Sequence, residues 1–215
     1  MLDWLVSKLI ILPGIIVGLS VHEYGHARVA MLCGDDTAWR QGRVSLNPLD
    51  HINWLGFVML FLIGFGWGRP VQVNVAKLKK PRRDLILVDL AGVFMNLITA
   101  IIFAFILRFV YQLFPEFFFV SKVGSITRTV IIQTIIINLS LMLFNLIPIP
   151  PLDGFGVISG IIDLPRRNYQ LYRSVIRYGY PVLLIFILLD GPSKILNVPL
   201  NNIYNAIMNL AFIGL

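Results

Sequence analysis

Two histidines and a glutamate lie within five residues of one another near the start of the chain, in the sequence HEYGH at 22–26. Residues four apart on a helix share a face, so His22 and His26 could bind one metal ion while Glu23 reaches a water molecule beside it. Zinc held in this way activates water for hydrolysis. The pattern predicts a metallohydrolase centre, and two histidines satisfied only by hydrogen bonds are the non-functional alternative.

The segment that carries this motif, from Trp4 to about Met31, is apolar and long enough to cross a membrane. Of the 215 residues, 57% are hydrophobic and 13% are charged, and the apolar residues come in long runs. This composition is typical of a polytopic membrane protein. The 18 Lys and Arg residues outnumber the 11 Asp and Glu residues. They gather in short loops beside apolar runs, which indicates cytoplasmic loops and not nucleic-acid binding.

The other apolar runs predict an all-α bundle of about four to six transmembrane or re-entrant helices in one membrane-embedded domain spanning 1–215. The first helix is expected to be retained, because no cleavage pattern follows it. The run 54–67 is short and rich in glycine, which favours a re-entrant element over a full crossing. The remaining runs cover 85–114, 126–147, 178–189 and 203–215.

A small membrane-associated β element is expected in the basic loop after residue 67. Residues 71–75 alternate apolar and polar, which is the period of a half-exposed strand. We expect this strand to pair with a locally unwound substrate by strand addition. Residues 37–46 are also expected to be extended, with Gly42 at a turn.

A catalytic zinc ion needs a third protein ligand, and Asp153 is the candidate. The prolines at 148, 150 and 151 end the span 126–147 just before this residue, and Gly154 permits a close backbone approach. Both this span and the first one are expected to end on the inner side, so Asp153 and the HEYGH motif can meet at one depth. The alternative for Asp153 is an N-cap role after a proline loop.

Taken together, five segments resemble the site-2 protease family of intramembrane zinc metalloproteases, in a short form without an evident PDZ or CBS domain. The resemblance implies that His22, His26 and Asp153 bind one Zn²⁺ ion and that Glu23 is the catalytic base. It also implies that Asn96 lies near the active site as a polar helper, toward the oxyanion. The segments are HEYGH at 22–26, SLNPLDHIN at 45–53, FGWGRPVQVN at 65–74, LAGVFMN at 90–96 and NLIPIPPLDG at 145–154.

The same resemblance implies a substrate and a location. The substrate would be a transmembrane or membrane-anchored protein, cleaved in or near its membrane segment on the cytoplasmic side of the cell membrane. The lipid bilayer is also expected as a partner, and nucleic acid is not. His51 and Asn145 fall in the matching segments, and for each residue a site role and a purely structural role stay open.

Two other functions are compatible with the residues. A metal transporter could place the same His and Asp ligands along a pathway, but it would not need Glu23 as a base and would offer several ligand clusters. A catalytically silent membrane scaffold could keep the fold and bind membrane segments without cutting them. The intact set of two histidines, one glutamate and Asp153 favours the protease.

Overall fold

The computed structural model describes residues 2–63, 66 and 68–214, which form an all-α bundle, as predicted. Long apolar runs form the long helices, and glycine, proline and charged residues mark the breaks between them. The helices are α1 (Leu2–Leu32), α2 (Thr37–Arg40), α3 (Trp54–Ile63), α4 (Pro81–Leu113), α5 (Pro115–Val120), α6 (Lys122–Asn145), α7 (Asp153–Ile161), α8 (Leu164–Arg167), α9 (Tyr169–Leu188) and α10 (Gly191–Ala211).

Within the described part of the chain, four helices are long and apolar enough to cross a membrane, namely α1, α4, α6 and α9. This number indicates a multi-pass membrane protein and agrees with the predicted bundle. Helix α9 begins at Tyr169, which gives it the 20 residues that a crossing needs. Helix α3 has 10 residues and is therefore only about 15 Å long. Gly64, Phe65 and Trp67, from the predicted re-entrant run, lie outside the described residues.

Helices α1, α4 and α6 pack side by side through small residues. Ala27 of α1 and Ala100 of α4 are fully buried. At Gly25 of α1, a Cβ atom would lie 2.8 Å from the carbonyl oxygen of Ala91, so the two backbones approach closely there. Small residues are what allow membrane helices to pack at such short distances. The larger core side chains, such as Leu139 of α6, fill the space further along the bundle.

The predicted β element is wrong: residues 71–74 are irregular, and 75–77 form a single 3₁₀ turn. The described residues contain one isolated antiparallel bridge, between Ile52 and Gly68, and no strand. The reason is that the amides of the segment bond to side chains. The N–H of Val71 donates to Glu23 at 2.8 Å, and the N–H of Asn74 donates to Asp35 at 2.6 Å. Carboxylates of the α1 segment thus occupy donors that a strand ladder would need.

Residues 37–46 also depart from the expected extended structure, because Thr37–Arg40 form the single helical turn α2. Asp35 accepts hydrogen bonds from the backbone N–H and the hydroxyl of Thr37, and this local pairing favours the turn. The expected turn at Gly42 is present, with φ at +69°.

The chain unwinds between α6 and α7, where the prolines at 148, 150 and 151 prevent a regular helix. Helix α7 then begins at Asp153, with Leu152 as its N-cap, so Asp153 does not take the alternative N-cap role. At Gly154 a Cβ atom would lie 2.2 Å from the carbonyl oxygen of Leu146. Glycine is therefore required where α7 folds back onto the end of α6, and this return directs Asp153 toward α1.

Candidate metal centre

Three of the predicted site residues meet at one point between α1 and α7. The Nε2 atoms of His22 and His26 lie 3.0 Å apart. The Oδ2 atom of Asp153 lies 3.3 Å from Nε2 of His22 and 3.5 Å from Nε2 of His26. His22 and His26 are buried, with 6% and 9% of their surface exposed. The arrangement brings two nitrogens and one carboxylate oxygen, separated by 131 residues of sequence at most, into a single cluster.

Hydrogen bonds to the far side of each imidazole determine which nitrogen faces the cluster. Nδ1 of His26 lies 2.7 Å from the carbonyl oxygen of Val88 and must donate, because a carbonyl only accepts. Nδ1 of His22 lies 2.8 Å from Oδ1 of Asn96. The amide orientation of Asn96 is fixed in turn, since its Nδ2 donates to the carbonyl oxygen of Gly18 at 2.9 Å. In the neutral state, both histidines therefore direct the Nε2 lone pair inward.

This geometry fits a metal ion better than it fits the side chains alone. Two lone pairs 3.0 Å apart repel, and Oδ2 of Asp153 is buried with no hydrogen-bond donor. In a tetrahedral zinc site with bonds of about 2.0–2.2 Å, neighbouring ligand atoms lie about 3.3–3.5 Å apart. The separations of 3.3 and 3.5 Å from Asp153 fall within that range, and the separation of 3.0 Å between the two histidines lies slightly below it. A cation at the centre would pair all three atoms at once.

Gly92 of α4 lies against both imidazole rings. A Cβ atom at this position would be 2.6 Å from Cε1 of His22 and 2.6 Å from Nε2 of His26. Helix α4 can therefore support the two histidines closely only because residue 92 has no side chain. Asn96, which bonds to His22, lies one helical turn after Gly92 on the same face of α4, the face that contacts α1.

Glu23 lies beside the cluster and is held by the chain segment 69–74. Its Oε2 accepts the hydrogen bond from the N–H of Val71. The guanidinium of Arg43, 5% exposed, donates to the carbonyl oxygens of Arg69 and Pro70 and so supports the same segment from its other side. One oxygen of this half-buried carboxylate is thus engaged by a backbone amide.

Asp35 anchors the same segment to the end of α1. The carboxylate is fully buried and accepts hydrogen bonds from the hydroxyl of Thr37 and from the backbone N–H groups of Asn74 and Thr37. Burial alone would raise the pKa of Asp35, but these hydrogen bonds outweigh it and hold the pKa below its ordinary value. The segment that contacts Glu23 on α1 is thus also bonded to Asp35, just after the end of that helix.

The two residues whose roles were left open in the sequence, His51 and Asn145, bond to backbone groups. His51 is 1% exposed and its Nε2 bonds to the carbonyl oxygen of Ser45 at 2.7 Å, while its own carbonyl accepts from the N–H of Arg69. The side-chain amide of Asn145 donates to the carbonyl oxygen of Leu141 within α6. His51 is not part of the three-residue group that could hold a metal ion, and its buried Nδ1 has no hydrogen-bond partner among the described residues.

Comparison with known proteins identifies the family of the chain. The chain is 37% identical over 197 residues to the Bacillus subtilis protein YwhC, which carries the name "putative zinc metalloprotease", and the match covers 91% of the chain and 88% of that protein. The chain belongs to this family of zinc metalloproteases. Two further members with the same descriptive name are MJ0611 of Methanocaldococcus jannaschii and Rip2 of Mycolicibacterium smegmatis. MJ0611 is 31% identical, and the match covers 72% of the chain and 75% of MJ0611. Rip2 is 26% identical, and the match covers 86% of the chain and 68% of Rip2.

No family model matches the chain, and no solved structure matches it. Membership of this zinc metalloprotease family therefore rests on the named relatives.

Sequence reasoning did not identify every residue that supports the candidate centre of this zinc metalloprotease. Asn138 of α6 is fully buried, and its Oδ1 accepts from Nδ2 of Asn96 at 3.0 Å. Its own Nδ2 donates to the carbonyl oxygen of Thr134. The signal was present in the sequence, because an asparagine in the middle of an apolar span requires a polar partner. The contact between Val71 and Glu23 had no such signal, since it uses a backbone amide.

Proposed function

We propose that this chain is an intramembrane zinc metalloprotease of the site-2 type, which hydrolyses a peptide bond in or near a transmembrane segment of a membrane-protein substrate. The observation that carries the proposal is the buried cluster of two Nε2 atoms and one Oδ2 atom at zinc-ligand spacing, next to a glutamate. His22, His26 and Asp153 would hold one Zn²⁺ ion. Three protein ligands leave a fourth position for water or substrate, as catalytic zinc sites require.

The residues of the site have distinct roles in the proposed reaction. A zinc ion bound here would supply a Lewis acid for the scissile carbonyl and lower the pKa of a water molecule. Glu23 takes a proton from the attacking water and then delivers it to the leaving amine. The contact with Val71 keeps this carboxylate directed at the site.

Asn96 has a positioning role in this proposal. Its two amide hydrogens donate to Gly18 and Asn138, and its oxygen accepts from His22. The side chain thereby fixes the orientation and tautomer of a metal ligand, as groups bonded to ligating histidines do. With these hydrogen bonds in place, it has no free donor for an oxyanion.

The proposed location is the cell membrane, with the active site toward the cytoplasm. Basic residues gather at the end of the bundle where α4 begins and α7 ends, and Arg82 joins these two helices by donating to the carbonyl oxygens of Gly160 and Ile161 at 2.8 and 2.6 Å. Loops rich in Lys and Arg are retained on the cytoplasmic side. Asp153 begins the same helix α7, so the metal centre would lie toward that side.

A transporter is less well supported by the arrangement of ligands. A metal pathway would need several groups of ligands along the bundle. Within the described residues, one group of three or more His, Cys, Asp or Glu side chains could hold a metal ion, and it is His22, His26 and Asp153.

The experiment that tests the protease compares the wild type with Glu23→Gln in proteoliposomes that contain a single-span substrate. We expect both proteins to bind one zinc ion, and we expect the variant to lose cleavage by about 10²–10⁴-fold, the usual contribution of a general base. His26→Ala serves as the control that should lose both zinc and cleavage. Equal cleavage by the wild type and Glu23→Gln would refute the mechanism.

A further inference from the structure

An apolar cavity of about 110 Å³ lies between α1, α3 and α6. Its polar lining residue, Asn53, is already engaged, because its side-chain oxygen accepts from the backbone N–H of Gly56 at 3.0 Å. A cavity with such a lining favours an apolar occupant. The residues that form most of its wall are Ile15, Leu19, Ile52, Gly56, Gly68 and Leu141.

The cavity adjoins the proposed catalytic base on the same face of α1. Leu19 precedes Glu23 by four residues and Ile15 precedes it by eight, so the three side chains follow one another along one face of the helix. The cavity therefore begins about one helical turn, or about 5.4 Å along the axis, from the carboxylate position.

The opposite wall belongs to the segment that holds Glu23. Gly68 is paired with Ile52 in the isolated bridge, and three residues after Gly68 the N–H of Val71 bonds to Glu23. The cavity wall and the amide that bonds to the base thus lie three residues apart on one chain segment.

The third wall comes from the helix that supports the ligand histidine. Leu141 lies three residues after Asn138, and its Cδ1 atom packs against Gly18, where a Cβ atom would be only 2.6 Å away. Gly18 itself accepts the hydrogen bond that orients Asn96, and Asn96 bonds to His22. The cavity is thus bounded by the elements that position both the base and the metal ligands.

We propose that this cavity is a specificity pocket, which receives one branched aliphatic side chain from a substrate residue next to the scissile bond. The inference rests on the proposed function. An apolar cavity of about 150 Å³ accommodates benzene, so a smaller one suits a side chain of three or four carbons and not an aromatic ring. A membrane segment rich in Leu, Ile and Val offers such side chains. Gly56 and Gly68 both line the cavity, and neither has a side chain to fill it.

The test measures cleavage of a single-span substrate in proteoliposomes, with the cut site mapped by mass spectrometry. Each of the three residues on either side of the cut is changed in turn to Ala, Val, Leu and Phe. For the wild type we expect one position at which Leu or Val is preferred over Ala and Phe by about 10-fold or more in kcat/KM, the usual effect of methylene groups in an apolar pocket.

Two variants change the pocket in opposite directions. Leu19→Ala widens it and should move the preference at that one position toward Phe, whereas Gly56→Ala narrows it and should move the preference toward Ala. Leu9→Ala makes the same change on the same helix at a residue that is 51% exposed and outside the pocket, so it should leave the preference unchanged. Zinc content and thermal stability are measured for all three variants to separate selectivity from folding.

The outcomes distinguish the two proposals. Zinc-dependent cleavage with a side-chain preference that neither Leu19→Ala nor Gly56→Ala alters would overturn the pocket and leave the protease intact. Absence of cleavage by the zinc-loaded wild type would overturn both. A shift of the preferred side chain at one position, in opposite directions for the two variants, establishes the pocket.

Discussion

The replacement Gly92→Ala is the most direct test of how α4 supports the metal centre. The added methyl group would lie 2.6 Å from Cε1 of His22 and from Nε2 of His26, and 2.7 Å from Nδ1 of His22. Carbon atoms in van der Waals contact prefer about 3.5–4.0 Å, so the rings would have to move by about 1 Å. Neither ring can move freely, because each Nδ1 is held by a hydrogen bond on its other side.

A displacement of about 1 Å exceeds the tolerance of a tetrahedral zinc site, whose bond lengths are fixed to about 0.2 Å. We expect zinc affinity to fall by about 10–100-fold, the range found when the groups that orient metal ligands are removed. This corresponds to about 1.4–2.7 kcal/mol of binding free energy. Cleavage should fall by about 100-fold or more, because misplacement of reacting groups adds to the loss of metal. Zinc affinity is measured by competition with a fluorescent chelator in detergent micelles.

Gly14→Ala is the matched control for this prediction. It places a methyl group 2.9 Å from the Cα atom of Thr134, so it disturbs the packing of α1 on α6 without touching a histidine. Gly14 precedes His22 by eight residues, about 12 Å along the helix. The control should lower thermal stability and retain wild-type zinc affinity. Wild-type zinc affinity in Gly92→Ala would refute the proposed support of the imidazoles.

Further substitutions test the surroundings of the site. Asn96→Ala removes the acceptor for His22 and should lower zinc affinity by about 10–100-fold, whereas Asn96→Asp keeps the acceptor and should lower it less; equal losses would contradict the positioning role. Asp35→Ala should speed hydrogen exchange at the amide of Asn74 and cost about 1.5–3 kcal/mol for each bond to the carboxylate. The pKa of Asp35 is lowered in the folded state, so its ionised carboxylate stabilises the folded protein fully above about pH 3.9. This stabilisation is lost as the pH falls through the folded-state pKa, so protection of the Asn74 amide from hydrogen exchange should decline only in acid. Arg82→Ala removes two bonds from Gly160 and Ile161 and should loosen α7, with zinc affinity reduced by a few-fold, while Arg166→Ala, at an exposed arginine, should not change it.

The helical bundle followed from the sequence because long apolar runs in membrane proteins have few alternatives to helices. The predicted and observed spans agree for α1, α4 and α6 to within a few residues, and Gly34, with φ at +112°, lies just after the end of α1. Helix α9 begins at Tyr169, nine residues before the predicted run 178–189, and that run starts later because Arg173 and Arg177 interrupt the apolar pattern. Charged residues at a helix end lower its mean hydropathy without preventing the helix.

The strand prediction failed for a reason that lies outside the local sequence. Alternation of apolar and polar residues at 71–75 indicates only that one side of the chain is buried. The partner of this segment is not another strand but the end of α1, where Glu23 and Asp35 accept its amide hydrogens. One carboxylate on α1 and another 12 residues later, just after the helix ends, could not be assigned to these amides from composition or periodicity.

The candidate ligands could be predicted because helical spacing and the proline break constrain where their side chains can go. The groups that orient these ligands could not be predicted in this way. The tautomer of His22 depends on Asn96, whose amide orientation depends on Gly18, and the second amide hydrogen of Asn96 is taken by Asn138. This series of hydrogen bonds crosses α1, α4 and α6, and each step depends on the register of a different helix pair. Such registers are set by close packing at small residues, such as Gly25 against Ala91. The chemistry of this site therefore depends on backbone contacts between helices as much as on the residues that would touch the metal ion.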